Sequence, residues 1–151
     1  MIRYLVENPY DIKDELLPLN EKHYEEDFRS DAALLDIDWD AYNKMYEEGS
    51  MLTVTARDGD ELIAYMTTTV GCHAHIRDYK IADMDTLFVH EDYREQGIAT
   101  DLLETTEEIL ADQGVTWFTT TFRDERVAES VTGKHGYTKV ECTFGKTLEK
   151  R

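Results

Sequence analysis

The 151-residue sequence has only two cysteines, Cys72 and Cys142. That is too few for a disulfide framework, and they lack metal-ligand spacing, so both read as reduced thiols. Two prolines and eight scattered glycines leave no linker and no low-complexity tract, and nothing repeats at solenoid period. Nowhere do 18 apolar residues run together, and the N-terminus has no basic region followed by an apolar core, so no membrane span or leader is expected. A soluble, cytoplasmic protein with one domain over residues 1–151 is the expectation. Basic side chains are scarce: 16 Lys and Arg face 33 Asp and Glu, a net charge of −17. Such a surface repels polyanions, which excludes nucleic acid as an expected partner. Attraction to a cationic substrate, adaptation to a salty cytoplasm and plain solubility remain open as reasons for the acidity.

What is present is concentrated between Asp85 and Glu104. An apolar strand (Met84, Leu87, Phe88, Val89) leads into an acidic-aromatic turn (His90 to Tyr93) and then a helix whose first turn carries little bulk. Gly97 and Ala99 let the main chain approach a bound group closely. The unpaired N–H groups of that first turn point outward with the positive end of the helix dipole behind them. Phosphate is the natural guest of such a cradle. A dinucleotide fingerprint would need three spaced glycines and a later acidic residue, and a P-loop would need Gly-Lys-Ser/Thr, whereas Gly97 is followed by Ile98 and Ala99.

Elsewhere the pattern predicts a strand over residues 1–7 and a helix with Asn8 as cap and Pro9 at its first position, broken or kinked at Pro18. A second helix is capped by Asp38, presents Trp39, Tyr42, Met45 and Tyr46 on one face and stops at Gly49. Met51–Ala56 and Glu61–Val70 read as an antiparallel hairpin turning at Asp58-Gly59. Residues 80–89 form the next strand, Ile98–Gln113 the long helix and Val115–Phe122 a strand parallel to 80–89. A helix over Arg123–Lys134 and one bent strand or two short ones over Tyr137–Leu148 complete the chain.

The spacing Arg94-x-x-Gly97-x-Ala99 resembles the Arg/Gln-x-x-Gly-x-Gly/Ala signature of the GNAT superfamily of N-acetyltransferases, and the element order β-α-α-β-β-β-α-β-α-β resembles that fold from end to end. The resemblance implies a mixed α/β domain: a central, twisted, mixed sheet of six to seven strands with about four helices. It implies acetyl-CoA as cosubstrate, no metal, an amine acceptor, and a quaternary state that leaves a homodimer open. Main-chain groups of Leu87 and Val89 would pair with pantetheine. The amides of Arg94, Glu95, Gln96, Gly97, Ile98, Ala99 and Thr100 would hold the pyrophosphate, and an N–H near Leu87 or Phe88 would polarise the thioester. His23-Tyr24-Glu25-Glu26, Asp38-Trp39-Asp40-x-Tyr42, Thr55 to Asp58, His75-x-Arg77 and Asp85-x-x-Phe88 are similar to a pattern in phage- or prophage-encoded members, for which the location would be the host cytoplasm.

Acetyl transfer from a thioester needs a neutral amine, a polarised carbonyl and a proton for the thiolate. Asp83 and Asp85 alternate with Leu87 and Val89 and are expected on one strand face. Asp85, the nearer, reads either as base or water relay, or as a bridge to neighbouring backbone. His23, Glu26, Tyr42, His75 and Arg77 are the expected acceptor-side residues, and the resemblance implies that His23, Glu26, His75 and Asp85 gather around one mouth; isolated surface histidines are the alternative. The tyrosine that serves the family as acid falls on Thr132, with Tyr137, Ser130 or water as substitutes. An alternative from another class is a non-catalytic module of the same fold that binds CoA or a partner protein, and a third is an acidic decoy.

Overall fold

The computed structural model describes residues 1–27 and 35–148. In chain order the elements are β1 (Ile2–Val6), α1 (Lys13–Glu26), α2 (Trp39–Glu47), β2 (Met51–Asp58), β3 (Glu61–Cys72), β4 (Lys80–Val89), a 3-10 turn (Glu91–Tyr93), α3 (Ile98–Asp112), β5 (Trp117–Thr119) and α4 (Glu125–Thr132). The sheet order is β1-β2-β3-β4-β5; only β4 and β5 are parallel. Among the described residues no helix is long and apolar enough to cross a membrane.

β2 and β3 are buried along nearly their whole length because helices cover both faces. On one face Ile98, Leu102, Leu103 and Leu110 of α3 pack on Val54, Ala56, Met66, Ala82 and Met84. On the other, Ile12, Leu16 and Leu19 meet Leu62, Tyr65 and Phe88. The sheet is thereby clamped between α3 and α1.

Five strands form among the described residues, not six or seven. β5 holds only three residues, and 137–148 join no ladder, with Phe144 at 94% and Leu148 at 80% exposure. Strand propensity is realised only against a partner edge, and three residues of β5 offer little edge. Pro18 neither breaks nor ends α1, which runs unbroken through it. Pro18 is exposed, so the carbonyl deprived of its N–H can be hydrated, while Leu16 and Leu19 on either side are buried against the sheet. Asn8 does not cap a helix. Its side chain accepts from the Tyr10 N–H at 3.0 Å in a local turn, and α1 starts at Lys13. The β2–β3 turn is centred on Gly59-Asp60, one residue later than expected, with Asp58 opposite Glu61 and Gly59 at φ 61°. Asp38 caps α2 as expected, accepting from the Ala41 N–H.

Arg57, only 8% exposed, ties the residue that follows β1 to α1 and the hairpin turn. Its guanidinium donates to Glu7 at 3.0 and 3.2 Å, to Glu15 at 2.8 and 3.1 Å and to the Asp60 carbonyl at 2.6 Å. Arg57→Ala is expected to lower the unfolding free energy by about 2 kcal/mol, since Glu7, the more buried carboxylate, loses its counter-charge while the half-exposed Glu15 is hydrated. The hydrogen bond from Arg57 holds the Glu15 carboxyl below its usual value, so the share of this contribution that comes from Glu15 is full above the ordinary carboxylate pKa and is lost as pH falls through the lowered one. Denaturant titration checks it: a loss below about 1 kcal/mol would class the clamp with exposed ion pairs.

Candidate active site

The site begins where the parallel pair parts. β4 pairs with β5 only over Ile81–Asp83 and Trp117–Thr119. Beyond them β4 continues to Val89 along β3 while the other chain turns away toward α4. The alternation of the β3–β4 ladder decides which backbone groups face the gap. The His90 N–H donates to the Ile63 carbonyl at 2.8 Å, and Tyr65 lies opposite Phe88, so Phe88 is hydrogen-bonded to β3. Leu87 and Val89, in the intervening pairs, therefore turn their N–H and C=O groups to the open side. Of the two candidates for a carbonyl-polarising amide, Leu87 has the free N–H and Phe88 does not.

Asp85 occupies a β-bulge. Thr67 pairs with Thr86 and Thr68 with Met84, so Asp85 has no partner on β3. The extra residue reverses the alternation: Ala82 and Met84 before it, and Leu87 and Val89 after it, all pack toward α3. The expectation that Asp83 and Asp85 share a face with Leu87 and Val89 is thus corrected. Asp83 instead accepts from the Thr119 hydroxyl at the last paired position. Asp85 is turned into a cleft of about 630 Å³ that also contains His23, Tyr42, Tyr65 and Thr86 on its wall. Its carboxylate is reached by solvent at the mouth, yet the cleft removes enough water to push its pKa up.

The back of the cleft holds a hydrogen-bonded chain whose direction can be deduced. Burial pushes the His23 imidazole down, outweighing the pull of Asp27, so the ring is neutral. Nε2 lies 3.3 Å from Asp27 Oδ2, which can only accept, so Nε2 carries the proton. Nδ1 then accepts from the Tyr65 hydroxyl at 3.0 Å, and that oxygen accepts from Asn20 Nδ2 at 3.2 Å. Phe88 stacks on the His23 ring with centroids 5.2 Å apart. With both nitrogens engaged, His23 is a fixed wall of the cleft and not a free base.

The anion cradle has the expected backbone. Glu95 and Gly97 both have positive φ, 62° and 82°, which turns successive amides to one side. The first helical bond of α3 runs from the Asp101 N–H to the Gly97 carbonyl, leaving the amides of Ile98, Ala99 and Thr100 without helical acceptors. Buried Ile98 anchors this turn in the core, while 94–97 are exposed. Nothing lies within 4 Å of where a Gly97 Cβ would stand. Arg94 is tied elsewhere: its guanidinium reaches Glu26 at 2.6 Å, donates through Nε to the Val89 carbonyl at 2.9 Å and lies over Phe88 at 5.5 Å.

His23, Tyr42 and Asp85 line one cleft. Glu26 is not on the cleft wall but pairs with Arg94, and His75 and Arg77 lie in the exposed β3–β4 connection away from it. The gathering of His23, Glu26, His75 and Asp85 around one mouth is therefore corrected: the long β3 carries that connection beyond the cleft. Thr132 is no acid, since its hydroxyl donates to the Ala128 carbonyl at 2.6 Å. Tyr137 is committed to Glu107 at 2.5 Å, and burial pushes its pKa up. Asn20, Asp27 and Tyr65 were not singled out from the sequence. The first two were detectable, because positions 20, 23 and 27 recur on one helix face. Tyr65 looks like any apolar strand residue. Among the described residues no three His, Cys, Asp or Glu side chains gather as a metal site.

A sequence model of the acetyltransferase (GNAT) family matches residues 11–137, which contain the cradle, the parted strands and the cleft. The chain belongs to the GNAT family. None of the curated proteins matches this GNAT chain by sequence. Solved structures share its fold at low identity. An aminoglycoside acetyltransferase from an uncultured soil metagenomic sample superposes with a TM-score of 0.80 at 14% identity, covering 99% of both chains. The ribosomal-protein-alanine N-acetyltransferase of Brucella melitensis biovar Abortus 2308 gives 0.74 at 13%, covering 97% of this chain and 99% of that one. A predicted acetyltransferase of Clostridium acetobutylicum, solved with acetyl-CoA, gives 0.74 at 13%, covering 98% and 97%.

Proposed function

We propose that the protein is an acetyl-CoA-dependent N-acetyltransferase that acetylates a primary amine by direct transfer in a ternary complex. The observation that carries this is a pair of backbone surfaces: the free amides at the start of α3 and the edge of β4 left open by β5 at Leu87 and at the Val89 N–H, the Val89 carbonyl being taken by Arg94. The first suits a pyrophosphate and the second an amide-bearing pantetheine arm. The shared fold with a structure solved with acetyl-CoA supports the same reading. The arm would bring the thioester beside the Leu87 N–H, which polarises the carbonyl, and beside Asp85, which takes the proton from the incoming ammonium so that the amine attacks neutral. The C–N bond forms, the nitrogen passes its second proton to water, the C–S bond breaks, and the thiolate takes that proton back from water, its pKa of about 8.5 making it a fair leaving group without a dedicated acid.

Acetyl-CoA at about 100 times its dissociation constant should stabilise the fold by about 2.7 kcal/mol, read as a rise in the thermal midpoint. No rise at millimolar acetyl-CoA or CoA would sink the assignment. Arg94→Ala should weaken acetyl-CoA binding only moderately, because the donors of the cradle are main-chain amides and the guanidinium is held by Glu26 and Val89. Calorimetry on the folded variant tests this. Complete loss of binding would move the energy from the backbone to that side chain.

A further inference from the structure

We infer that the acceptor is a primary amine bearing one positive charge on an apolar, aromatic-sized body, an arylalkylamine in chemical class, and not a polyamine or an amino sugar. This rests on the reading of the cleft as the acceptor site. Of the charged residues on its described wall, Asp27, Asp85, Arg123 and Asp124, three are already engaged. Asp27 faces His23 Nε2 at 3.3 Å and Arg123 Nε at 3.5 Å. The Asp124 carboxylate accepts from the Arg126 N–H at 2.8 Å as the cap of α4. Asp85 alone makes no hydrogen bond or ion pair among the described residues. One cation can be neutralised there.

Much of the remaining wall is aromatic or aliphatic, with Trp39, Tyr42, Phe122 and Val127 around the opening. An apolar body gains by covering these groups. A second ammonium would lose hydration against them without meeting a free carboxylate among the described residues, and ring faces compensate only part of that loss. The net charge of −17 attracts cations from a distance, but that field is screened within about 8 Å at physiological salt. Long-range charge thus favours a cation, and the cleft fixes how many charges it may carry.

Transfer from acetyl-CoA to 2-phenylethylamine and tryptamine is compared with transfer to spermidine and neamine, on protein whose thermal midpoint has been shown to rise with acetyl-CoA. The expected result is a kcat/KM for the arylalkylamines about tenfold or more above that for the polycations. Equal or faster turnover of spermidine or neamine overturns this inference and leaves the acetyltransferase reading intact. No turnover of either arylalkylamine, with acetyl-CoA still bound, also overturns it. Failure of acetyl-CoA to bind overturns both. Val127→Asp offers a second readout: Val127 is 49% exposed on α4, so the change spares the core and adds a carboxylate to the mouth. It should shift the ratio about tenfold toward spermidine; an unchanged ratio counts against the inference.

Discussion

Asp85→Asn is expected to slow acetyl transfer by about 10²–10⁴, with the acetyl-CoA dissociation constant nearly unchanged. The amide keeps the shape and loses the proton-accepting function. The bulge makes this variant a clean test, because Asp85 pairs with nothing on β3 and, among the described residues, makes no hydrogen bond that the substitution would break. A pH dependence accompanies it. Desolvation raises the Asp85 pKa above its ordinary 3.8, so the wild-type rate should fall on the acid side through a value above 3.8, and the variant should lose that limb. The linkage has the opposite sign from a paired carboxylate. A folded-state pKa raised above the unfolded one means that ionisation costs stability as pH rises through the window between them. Asp85→Asn should therefore hold or slightly raise the thermal midpoint at pH 7. Near wild-type turnover would return Asp85 to a structural role, and a marked fall in midpoint would show that it bridges the bulge.

Gly97→Glu is expected to reduce acetyl-CoA affinity by about 100-fold or more, about 2.7 kcal/mol. Two effects coincide there. Gly97 has φ 82°, where a side chain is strained, and the space beside it is open, so a Glu side chain would enter the volume that the cradle reserves for an anion. Gly97→Ala separates the two. It carries the backbone strain, on the order of 1–2 kcal/mol of stability, without charge or reach, and should keep most of the binding. If Ala and Glu weaken binding equally, conformation and not occupancy of the cradle explains the loss.

Much of this arrangement was legible in the sequence because it depends on local spacing. The boundaries of β4, the cap at Asp38, and the glycine that opens α3 follow from alternation, capping chemistry and positive φ. What was not legible depends on pairing between distant segments. The bulge at Asp85 arises from the register of β4 on β3, and no pattern within β4 announces it; yet it reverses the strand's faces and turns the carboxylate into the cleft. The short β5 and the unpaired 137–148 likewise depend on whether an edge is available, not on propensity. The motif places Arg94 at the cradle, but nothing in it announces that Glu26, 68 positions earlier, holds the Arg94 side chain. Helix spacing contained the Asn20, His23 and Asp27 face, but only Tyr65 from β3 makes it a directed chain.

The most direct test of acetyl-CoA held by main-chain amides is a titration of the 15N-labelled protein with acetyl-CoA, followed through its backbone amide resonances. The largest shifts should fall on Gly97, Ile98, Ala99 and Thr100 and on Leu87 and Val89, with Phe88, whose N–H is bonded to β3, moving less than either neighbour. Saturation with acetyl-CoA that leaves the 97–100 amides unmoved would contradict the account.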